Sequence, residues 1–264
     1  MTGNRPLALV TGASSGIGAD LARELARHGH DLVLTARRVE PMRALGEELK
    51  ALGAASTIIA ADLSKPGAAA SLVNELRSSG LVLDVLINNA GLGAGGPFYE
   101  SDPSRVSEML YVNIVALTEL TRALLPAMVT RGRGRVMFVA STASFQPGPS
   151  MAVYCASKAY VLSLGEAISY ELRGSGVTLT TLCPGPTHSE FTAVAKTGSS
   201  VLFDSPVASV MSSAEVARQG YRALAAGKRV HIAGFINKLV AASGRFSPHA
   251  ISLPVTSAIL KPGK

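Results

Sequence analysis

Tyr154 and Lys158 are the side chains whose types and spacing most directly suggest proton chemistry. Four residues apart on a helix, they share one face. A phenol has a pKa of about 10, and a neighbouring ammonium favours the phenolate and lowers that pKa towards the working range. Ser141, thirteen residues before Tyr154, adds a hydroxyl that can hydrogen-bond the same substrate oxygen. Together these residues predict an acid–base site acting on an oxygen-bearing substrate.

A glycine-rich segment near the N-terminus predicts a site for a phosphate-bearing ligand. It lies between a short apolar run and a helical repeat. Glycines there allow a tight turn and close approach of the backbone to a pyrophosphate, which the N–H groups of the helix start then bind. A glycine turn that binds no ligand is the alternative. The candidate ligand-binding residues are Gly12, Ser14, Ser15, Gly16, Ile17 and Gly18.

A second glycine string, Gly91–Gly96, matches the literal G-x-G-x-x-G pattern better than the first. It follows the fourth predicted strand, and Pro97 comes directly after it. A dinucleotide-binding loop follows the first strand and opens a helix. We therefore predict that Gly91–Gly96 is a flexible loop lining a cleft.

Strand-length apolar runs alternate with helix-length amphipathic segments along the whole chain. This alternation, with strands that are apolar throughout, is typical of a parallel sheet covered on both faces. The prediction is an α/β fold with a doubly wound parallel sheet of the Rossmann type, in three layers, as a single domain over residues 1–264. Strands are predicted at Leu7–Val10, Leu32–Leu34, Thr57–Ala60, Val85–Asn88, Arg135–Ala140, Val177–Leu182 and Val230–Ile232. Helices are predicted at 17–28, from Pro41 onward, around 72–76, and at 105–130, 154–173 and 214–224.

Several motifs occur in a fixed order within this pattern. They are T-G-x-x-x-G-x-G from Thr11, Asn88-Asn89-Ala90-Gly91, Asn113, Ser141, Tyr154-x-x-x-Lys158 and Pro184-Gly185. In order and spacing, over roughly residues 6 to 190, the chain resembles the short-chain dehydrogenase/reductase family, in its short single-domain branch. The resemblance implies an oxidoreductase that moves a hydride between a nicotinamide and a carbonyl or alcohol. Tyr154 would then give its proton to the carbonyl oxygen during reduction and act as the base during oxidation.

The same resemblance implies roles for residues that spacing alone does not assign. Lys158 would hold the nicotinamide ribose, and Asn113 would anchor a water that links Lys158 to solvent. Ser189 stands where the family commonly has Thr, which keeps a hydroxyl there. The residues that would contact the adenosine or the nicotinamide are Asp62, Leu63, Asn89, Ala90, Gly91, Pro184, Gly185 and Thr187. For Asp62, a helix N-cap ahead of Leu63-Ser64 is the alternative.

The end of the second strand indicates which nicotinamide cofactor is used. An acidic residue there binds the ribose 2′-hydroxyl of NAD, whereas arginine accommodates the 2′-phosphate of NADP. Ala36 occupies that position, and Arg37 and Arg38 follow it. Arg37 can pair bidentately with a phosphate, with Ser14 as a second contact. The sequence therefore predicts NADP, the alternative being that both arginines are solvated surface charges.

Composition limits the class of protein further. Hydrophobic residues make up 47% of the chain and charged residues 16%, which excludes extended disorder. No signal peptide and no stretch of 18 apolar residues is evident, and Cys155 and Cys183 lack disulfide or metal spacing. The expectation is a cytoplasmic enzyme without a metal and without a nucleic-acid partner.

Two segments depart from the minimal plan. The stretch 189–213 is predicted to be a substrate lid because it is apolar, with contributions from Phe191, Val194, Val201, Leu202, Phe203, Val207 and Val210. With Phe145, Gln146, Met151 and Val153 it favours a small apolar carbonyl or acyl substrate. The segment 216–264 has no acidic residue and eight basic ones. It predicts contact with an acyl carrier, a coenzyme A phosphate or a membrane surface, or else a tail with solvated charges.

The leading interpretation is reduction of a ketone or aldehyde with NADPH. A 3-oxoacyl group is one candidate substrate. A non-catalytic NADP-binding sensor and an epimerase or dehydratase that uses the nucleotide transiently are the alternatives. The intact set of Ser141, Tyr154 and Lys158 argues against a sensor, and the short chain argues against an epimerase. By analogy with relatives, the helices around Asn113 and Tyr154 predict a homodimer or homotetramer.

Overall fold

A seven-stranded, wholly parallel sheet organises the residues that the computed structural model describes, 5–188 and 210–260. The spatial order of its strands is β3-β2-β1-β4-β5-β6-β9. A separate parallel pair joins β7 to β8. The strands are β1 Leu7–Thr11, β2 Asp31–Ala36, β3 Ser56–Ala60, β4 Val85–Asn88, β5 Gly134–Val139, β6 Val177–Cys183, β7 Thr187–His188, β8 Met211–Ser212 and β9 Val230–Ile232.

Helices cover both faces of this sheet. They are α1 Gly16–Arg27, α2 Val39–Ala51, α3 Ala68–Ser78, α4 Pro103–Leu110, α5 Leu117–Thr130, α6 Ala152–Glu171, α7 Ser213–Ala225, α8 Phe235–Phe246 and α9 His249–Leu260. Successive strand residues point to opposite faces, so Val10 and Leu34 pack beneath α1, α2 and α7. Leu9 and Phe138 pack beneath α3, α5 and α6. Burial on both sides explains why the strands are apolar throughout.

The direction in which successive strands are added to the sheet reverses between β1 and β4, although all strands run parallel. β1 is followed spatially on one side by β2 and β3, and on the other by β4, β5 and β6. In an open α/β sheet this switch point leaves a crevice at the carboxyl ends of the strands, and ligands bind there. The segments that begin at Gly12, Asn89, Ala140 and Pro184 all leave the sheet at this edge.

The predicted fold class, a doubly wound parallel sheet of the Rossmann type, is confirmed. The bounds of β4 and β9 agree with the prediction residue for residue. The helices α8 and α9 were not predicted, because several of their described large apolar side chains face outward and the usual inward-facing period is missing. These side chains are Phe235, Ile236, Leu239, Val240, Leu253 and Val255. Of the predicted lid 189–213, residues 189–209 lie outside the described residues.

The helical run Pro103–Thr130 is interrupted by a π-helical segment, Tyr111–Ala116. By length and composition alone this run is apolar enough to cross a bilayer. Its inner face contributes Leu117, Leu120 and Met128 to the core on the sheet. Its apolar character is therefore what a helix packed against this sheet requires.

Candidate active site

Tyr154 and Lys158 lie one turn apart on α6, at the carboxyl edge of the sheet. The Lys158 ammonium nitrogen is 5.9 Å from the centre of the Tyr154 ring. It donates a hydrogen bond of 2.8 Å to the backbone carbonyl of Val139, the last residue of β5. Lys158 is only 5% exposed. The i, i+4 spacing thus places both groups on the same face of the helix, and the strand beneath fixes the lysine.

Ser141 brings a second hydroxyl to Tyr154 from the loop after β5. The two hydroxyl groups share a hydrogen bond. The Ser141 hydroxyl also accepts from the backbone N–H of Ala143 at 3.1 Å, which orients it. The next residue, Thr142, donates its backbone N–H to the carbonyl of Pro184 at 2.8 Å. The loops after β5 and β6 are therefore joined directly beside the hydroxyl pair.

Burial sets the ionisation of this pair. It raises the pKa of Tyr154 to about 12, and the hydrogen bond from Ser141 offsets only part of that increase. Burial also lowers the pKa of Lys158 to about 8. In the chain alone, desolvation of the phenolate determines the direction of the pKa shift of Tyr154. The predicted lowering of this pKa also depends on the positive charge of oxidised nicotinamide, so it stays a prediction for the cofactor-bound enzyme. At neutral pH the phenol is thus fully protonated and arranged to donate.

An apolar cluster explains this desolvation. Leu92, Met109 and Val112 are buried together, and Val153 and Tyr154 pack against them. Met151, just before α6, is also buried. Phe145 packs against the core beneath α5 and α6. These contacts agree with the apolar surroundings that the sequence predicts for the catalytic positions. The other predicted lining, Phe191, Val194, Val201, Leu202, Phe203 and Val207, falls outside the described residues.

Asn113 joins three parts of the site. Its side-chain oxygen accepts from the backbone N–H of Leu92 at 2.8 Å. Its amide nitrogen donates to the carbonyl of Leu92 and to the hydroxyl of Ser157, each at 2.9 Å. Ser157 in turn donates to the carbonyl of Tyr154 at 2.7 Å. The side chain therefore holds the glycine loop against α6, and the predicted water at Asn113 stays a prediction.

Replacing Asn113 with alanine is expected to lower the free energy of unfolding by about 1–3 kcal/mol, since the buried N–H and carbonyl of Leu92 lose their partner. Urea denaturation followed by circular dichroism measures this. Thr130→Ala is the matched control, because that exposed hydroxyl bonds only the carbonyl of Pro126 within its own helix. Equal denaturation midpoints for the two variants would contradict the prediction.

The phosphate-binding loop has the close backbone approach that the sequence predicts. A Cβ at Gly18 would lie 2.3 Å from the carbonyl oxygen of Gly12. A Cβ at Gly12, where φ is +68°, would lie 2.8 Å from the side-chain nitrogen of Asn89. Among the described residues no side chain caps the start of α1 at Ser15, and its first turn carries no acid. This cradle fits a pyrophosphate, which the N–H groups of the helix start can bind.

Thr11, the last residue of β1, is a linking residue that the sequence analysis did not assign. Its hydroxyl accepts from the backbone N–H groups of Asn89 and Ala90, at 3.0 and 3.1 Å, and donates to the carbonyl of Ile87 at 3.2 Å. The Asn89 side chain donates to the carbonyl of Thr11 at 2.9 Å. Asn89 thus holds the loops after β1 and β4 together, and its predicted place on the adenosine side stays a prediction.

The two arginines after β2 lie at the adenosine end of the glycine loop. The Arg38 guanidinium donates to the Ser14 hydroxyl at 3.4 Å. Burial works to raise the pKa of Asp62, but hydrogen bonds from Ser64 and the charges of Arg37 and Lys65 lower it overall. Arg38 therefore places positive charge beside Ser14, and Arg37 places it near Asp62.

Asp62 forms a local turn. Its Oδ1 accepts from the backbone N–H of Ser64 at 3.1 Å and from the Ser64 hydroxyl at 2.7 Å. The alternative of a helix N-cap is wrong, because α3 begins later and Gly67 precedes it. Leu63 is buried in the core beneath α3. The adenine contact of Asp62 and Leu63 stays a prediction.

The Pro184-Gly185 turn is packed more tightly than the sequence indicates. Thr187 is buried, and its hydroxyl donates to the carbonyl of Gly185 at 2.9 Å. A Cβ at Gly185 would lie 2.3 Å from the side-chain oxygen of Asn237 on α8. Asn237 is 4% exposed, although the sequence analysis placed it in a basic tail. A lone asparagine carries no pattern that predicts such a contact.

Comparisons with known proteins agree on one family. The family model described as short chain dehydrogenase matches residues 6–199. Ketoacyl reductase HetN from Nostoc sp. is 35% identical over 177 residues, which are 67% of this chain and 62% of that relative. A short-chain dehydrogenase from Sphingobium yanoikuyae, solved with NADPH, is 33% identical with a TM-score of 0.80, covering 90% and 92% of the two chains. A metagenomic short-chain oxidoreductase solved with NADP is 39% identical with a TM-score of 0.65, covering 68% and 82%.

Proposed function

Because this chain belongs to the short-chain dehydrogenase/reductase family, we propose that it uses NADPH to reduce an apolar ketone, aldehyde or 3-oxoacyl group to an alcohol. One observation carries the proposal. The hydroxyls of Ser141 and Tyr154 share a hydrogen bond beside the buried Lys158 ammonium. That pair can hold one carbonyl oxygen from two directions and deliver a proton to it.

In the proposed reaction the chain's own residues control the proton. Ser141 and Tyr154 bind the carbonyl oxygen, and the charge that develops on it is stabilised by both hydroxyls. Tyr154 then donates its proton, which its pKa of about 12 keeps in place at neutral pH. Lys158, held by Val139, keeps a positive charge 5.9 Å from the ring and stabilises the phenolate that remains. Bound NADPH supplies the hydride.

The residues present fit the NADP nucleotide. Only glycine fits at positions 12 and 18, and the tight turn that these glycines allow brings the N–H groups at the start of α1 to where they can bind a pyrophosphate. Ala36 ends β2 where a carboxylate would repel a 2′-phosphate, and Arg37 and Arg38 follow it. Relatives of 33% and 39% identity carry NADPH and NADP, which supports the same cofactor here.

We expect reduction to lose activity above about pH 8. Burial depresses the pKa of Lys158 from 10.5 to about 8, so its ammonium is lost as the pH rises through that value. Initial rates should give a kcat/KM that is level below this pH and falls about tenfold per pH unit above it. A kcat/KM that stays level up to pH 10 would contradict the assigned role of the ammonium.

Unfolding does not explain such a loss. Since the folded pKa of Lys158 lies below the unfolded one, the folded state binds fewer protons between about 8 and 10.5. Its contribution to stability therefore increases with pH across this window. The control is an aliquot that is held at high pH and returned to pH 7, where full activity is expected.

The substrate is proposed to be apolar because the flank of Tyr154 is apolar. Leu92, Met109, Val112 and Val153 form that flank, and Met151 is buried next to it. A ketoacyl reductase among the relatives supports an acyl chain. The test is a screen of NADPH oxidation with ketones, aldehydes, diketones and acyl thioesters, with NADH measured alongside. Turnover confined to charged or polyhydroxylated compounds would overturn the proposed substrate class.

A further inference from the structure

The helix α8 presents its large apolar side chains outward. Phe235 is 75% exposed and Leu239 is 57% exposed, and Ile236 and Val240 are exposed beside them. An ordinary surface helix buries its apolar stripe against the core. Here a narrow strip of small or polar residues faces inward instead, made up of Asn237, Ala241 and Gly244. The apolar side of α8 therefore has no counterpart in the described part of the chain.

The next helix, α9, shows the same inversion in the middle of its described part. Ser252 and Thr256 are buried, whereas Leu253 and Val255 are exposed. Exposed apolar side chains therefore occur on both of these consecutive helices. Apolar surface of this kind is what a contact with another apolar phase requires.

Positive charge accompanies this apolar surface. Lys238 and Arg245 are exposed on α8 itself, next to the apolar residues. The chain contains no acidic residue after Glu215. The basic residues beyond that point are Arg218, Arg222, Lys228, Arg229, Lys238, Arg245, Lys261 and Lys264.

We propose that α8 docks on the surface of a bilayer that contains anionic lipid, with its axis in the plane of the interface. A helix with Phe and Leu on one side and Lys or Arg next to them inserts its apolar face among the acyl chains, while its cations contact the lipid phosphates. Phe235, Ile236, Leu239 and Val240 supply the apolar face, and Lys238 and Arg245 supply the cations.

The charges favour this occupant over two others. A second copy of the chain related by a two-fold axis would meet the same surface, on which α8 offers cations and no acid of its own. The acid that lies near Arg245 is Glu166 of α6, and it is already paired with Arg229 at 3.7 Å. An acidic acyl carrier would match the cations but leave four large apolar side chains against a polar surface. Anionic lipid matches both the charge and the apolar area.

Co-sedimentation of the full chain with vesicles tests the proposal. The vesicles are equal parts phosphatidylglycerol and phosphatidylcholine, or phosphatidylcholine alone. We expect binding to the anionic vesicles at low salt, with a partition coefficient at least tenfold higher than for the neutral ones. Leu239→Glu and the pair Lys238→Glu/Arg245→Glu should each lower it at least tenfold. Val82→Glu is the matched control, because Val82 is 57% exposed like Leu239 but lies outside α8.

The melting temperature and the far-ultraviolet circular dichroism spectrum of each variant establish that it is folded. Equal binding by Leu239→Glu and Val82→Glu, or equal binding to both kinds of vesicle, would overturn the proposal. So would an oligomer that Leu239→Glu dissociates without any binding to vesicles, or capture of an acidic acyl carrier in place of vesicles. None of these measurements requires turnover, so a failure here is distinct from a failure of the proposed reduction.

Discussion

Replacing Tyr154 with phenylalanine is expected to lower kcat for carbonyl reduction by about a thousandfold, within the range that a general acid contributes. The substitution removes the one hydroxyl that is bonded to Ser141 and lies above Lys158. It leaves the ring in its apolar cluster with Val112 and Leu92. The dissociation constant of NADPH, measured by fluorescence titration, should change less than threefold, so that the loss is confined to the chemical step.

Tyr160→Phe is the matched control for this variant. Tyr160 lies on the same helix, but it is exposed, and its hydroxyl is hydrogen-bonded to Thr118 at 3.0 Å. It should retain nearly full activity. An unchanged rate of NADPH consumption in Tyr154→Phe, for every compound that the parent protein converts, would remove the basis of the proposed function.

Replacing both Arg37 and Arg38 with alanine is expected to raise the KM for NADPH about a hundredfold and to leave that for NADH nearly unchanged. Charge-assisted hydrogen bonds are worth about 1.5–3 kcal/mol each, and the lower end is appropriate for solvent-exposed arginines, so two of them total about 3 kcal/mol, close to the value of about 2.8 kcal/mol that corresponds to a hundredfold. Only NADPH carries that phosphate. The measurement is kcat/KM for each cofactor at saturating carbonyl substrate.

Arg43→Ala is the control for the arginine pair, because Arg43 is an exposed arginine of α2 that is paired with Glu40. The single variants separate the two candidates, since sequence reasoning favours Arg37 whereas the structure shows Arg38 in contact with Ser14. Equal losses of kcat/KM with NADH and NADPH would mean that neither arginine binds the 2′-phosphate.

Local pattern was sufficient to predict the sheet. The central strands β1, β2, β4, β5 and β6 are largely buried on both faces, so their apolar runs are visible without knowledge of their neighbours. The bounds of β4 and of the partly buried edge strand β9 agree with the prediction. The helices α8 and α9 were not predicted because they bury Asn237, Gly244, Ser252 and Thr256, so the apolar period that marks the inner face of a helix is reversed there.

The site was predictable only where its residues are near each other in the chain. The pair Tyr154 and Lys158 follows from helix geometry. The bonds of Asn113 to Leu92 and Ser157 connect residues 21 and 44 positions apart, and no spacing rule predicts such contacts. The raised pKa of Tyr154 in the chain alone was not predictable for a related reason, since desolvation depends on the apolar cluster that tertiary packing assembles around the phenol.

The contact between Asn237 and Gly185 has a thermodynamic consequence. Because a Cβ at Gly185 would lie 2.3 Å from the Asn237 side chain, the turn after β6 cannot shift without displacing α8. Gly244, on the same helix, lies close to Gln146, five residues after Ser141, where a Cβ would be 2.9 Å from the side-chain oxygen. These contacts give α8 a direct mechanical link to the loops after β5 and β6. If occupancy of the cleft moves either loop, then binding in the cleft and docking of α8 change each other's free energy by the same amount, because such coupling is reciprocal.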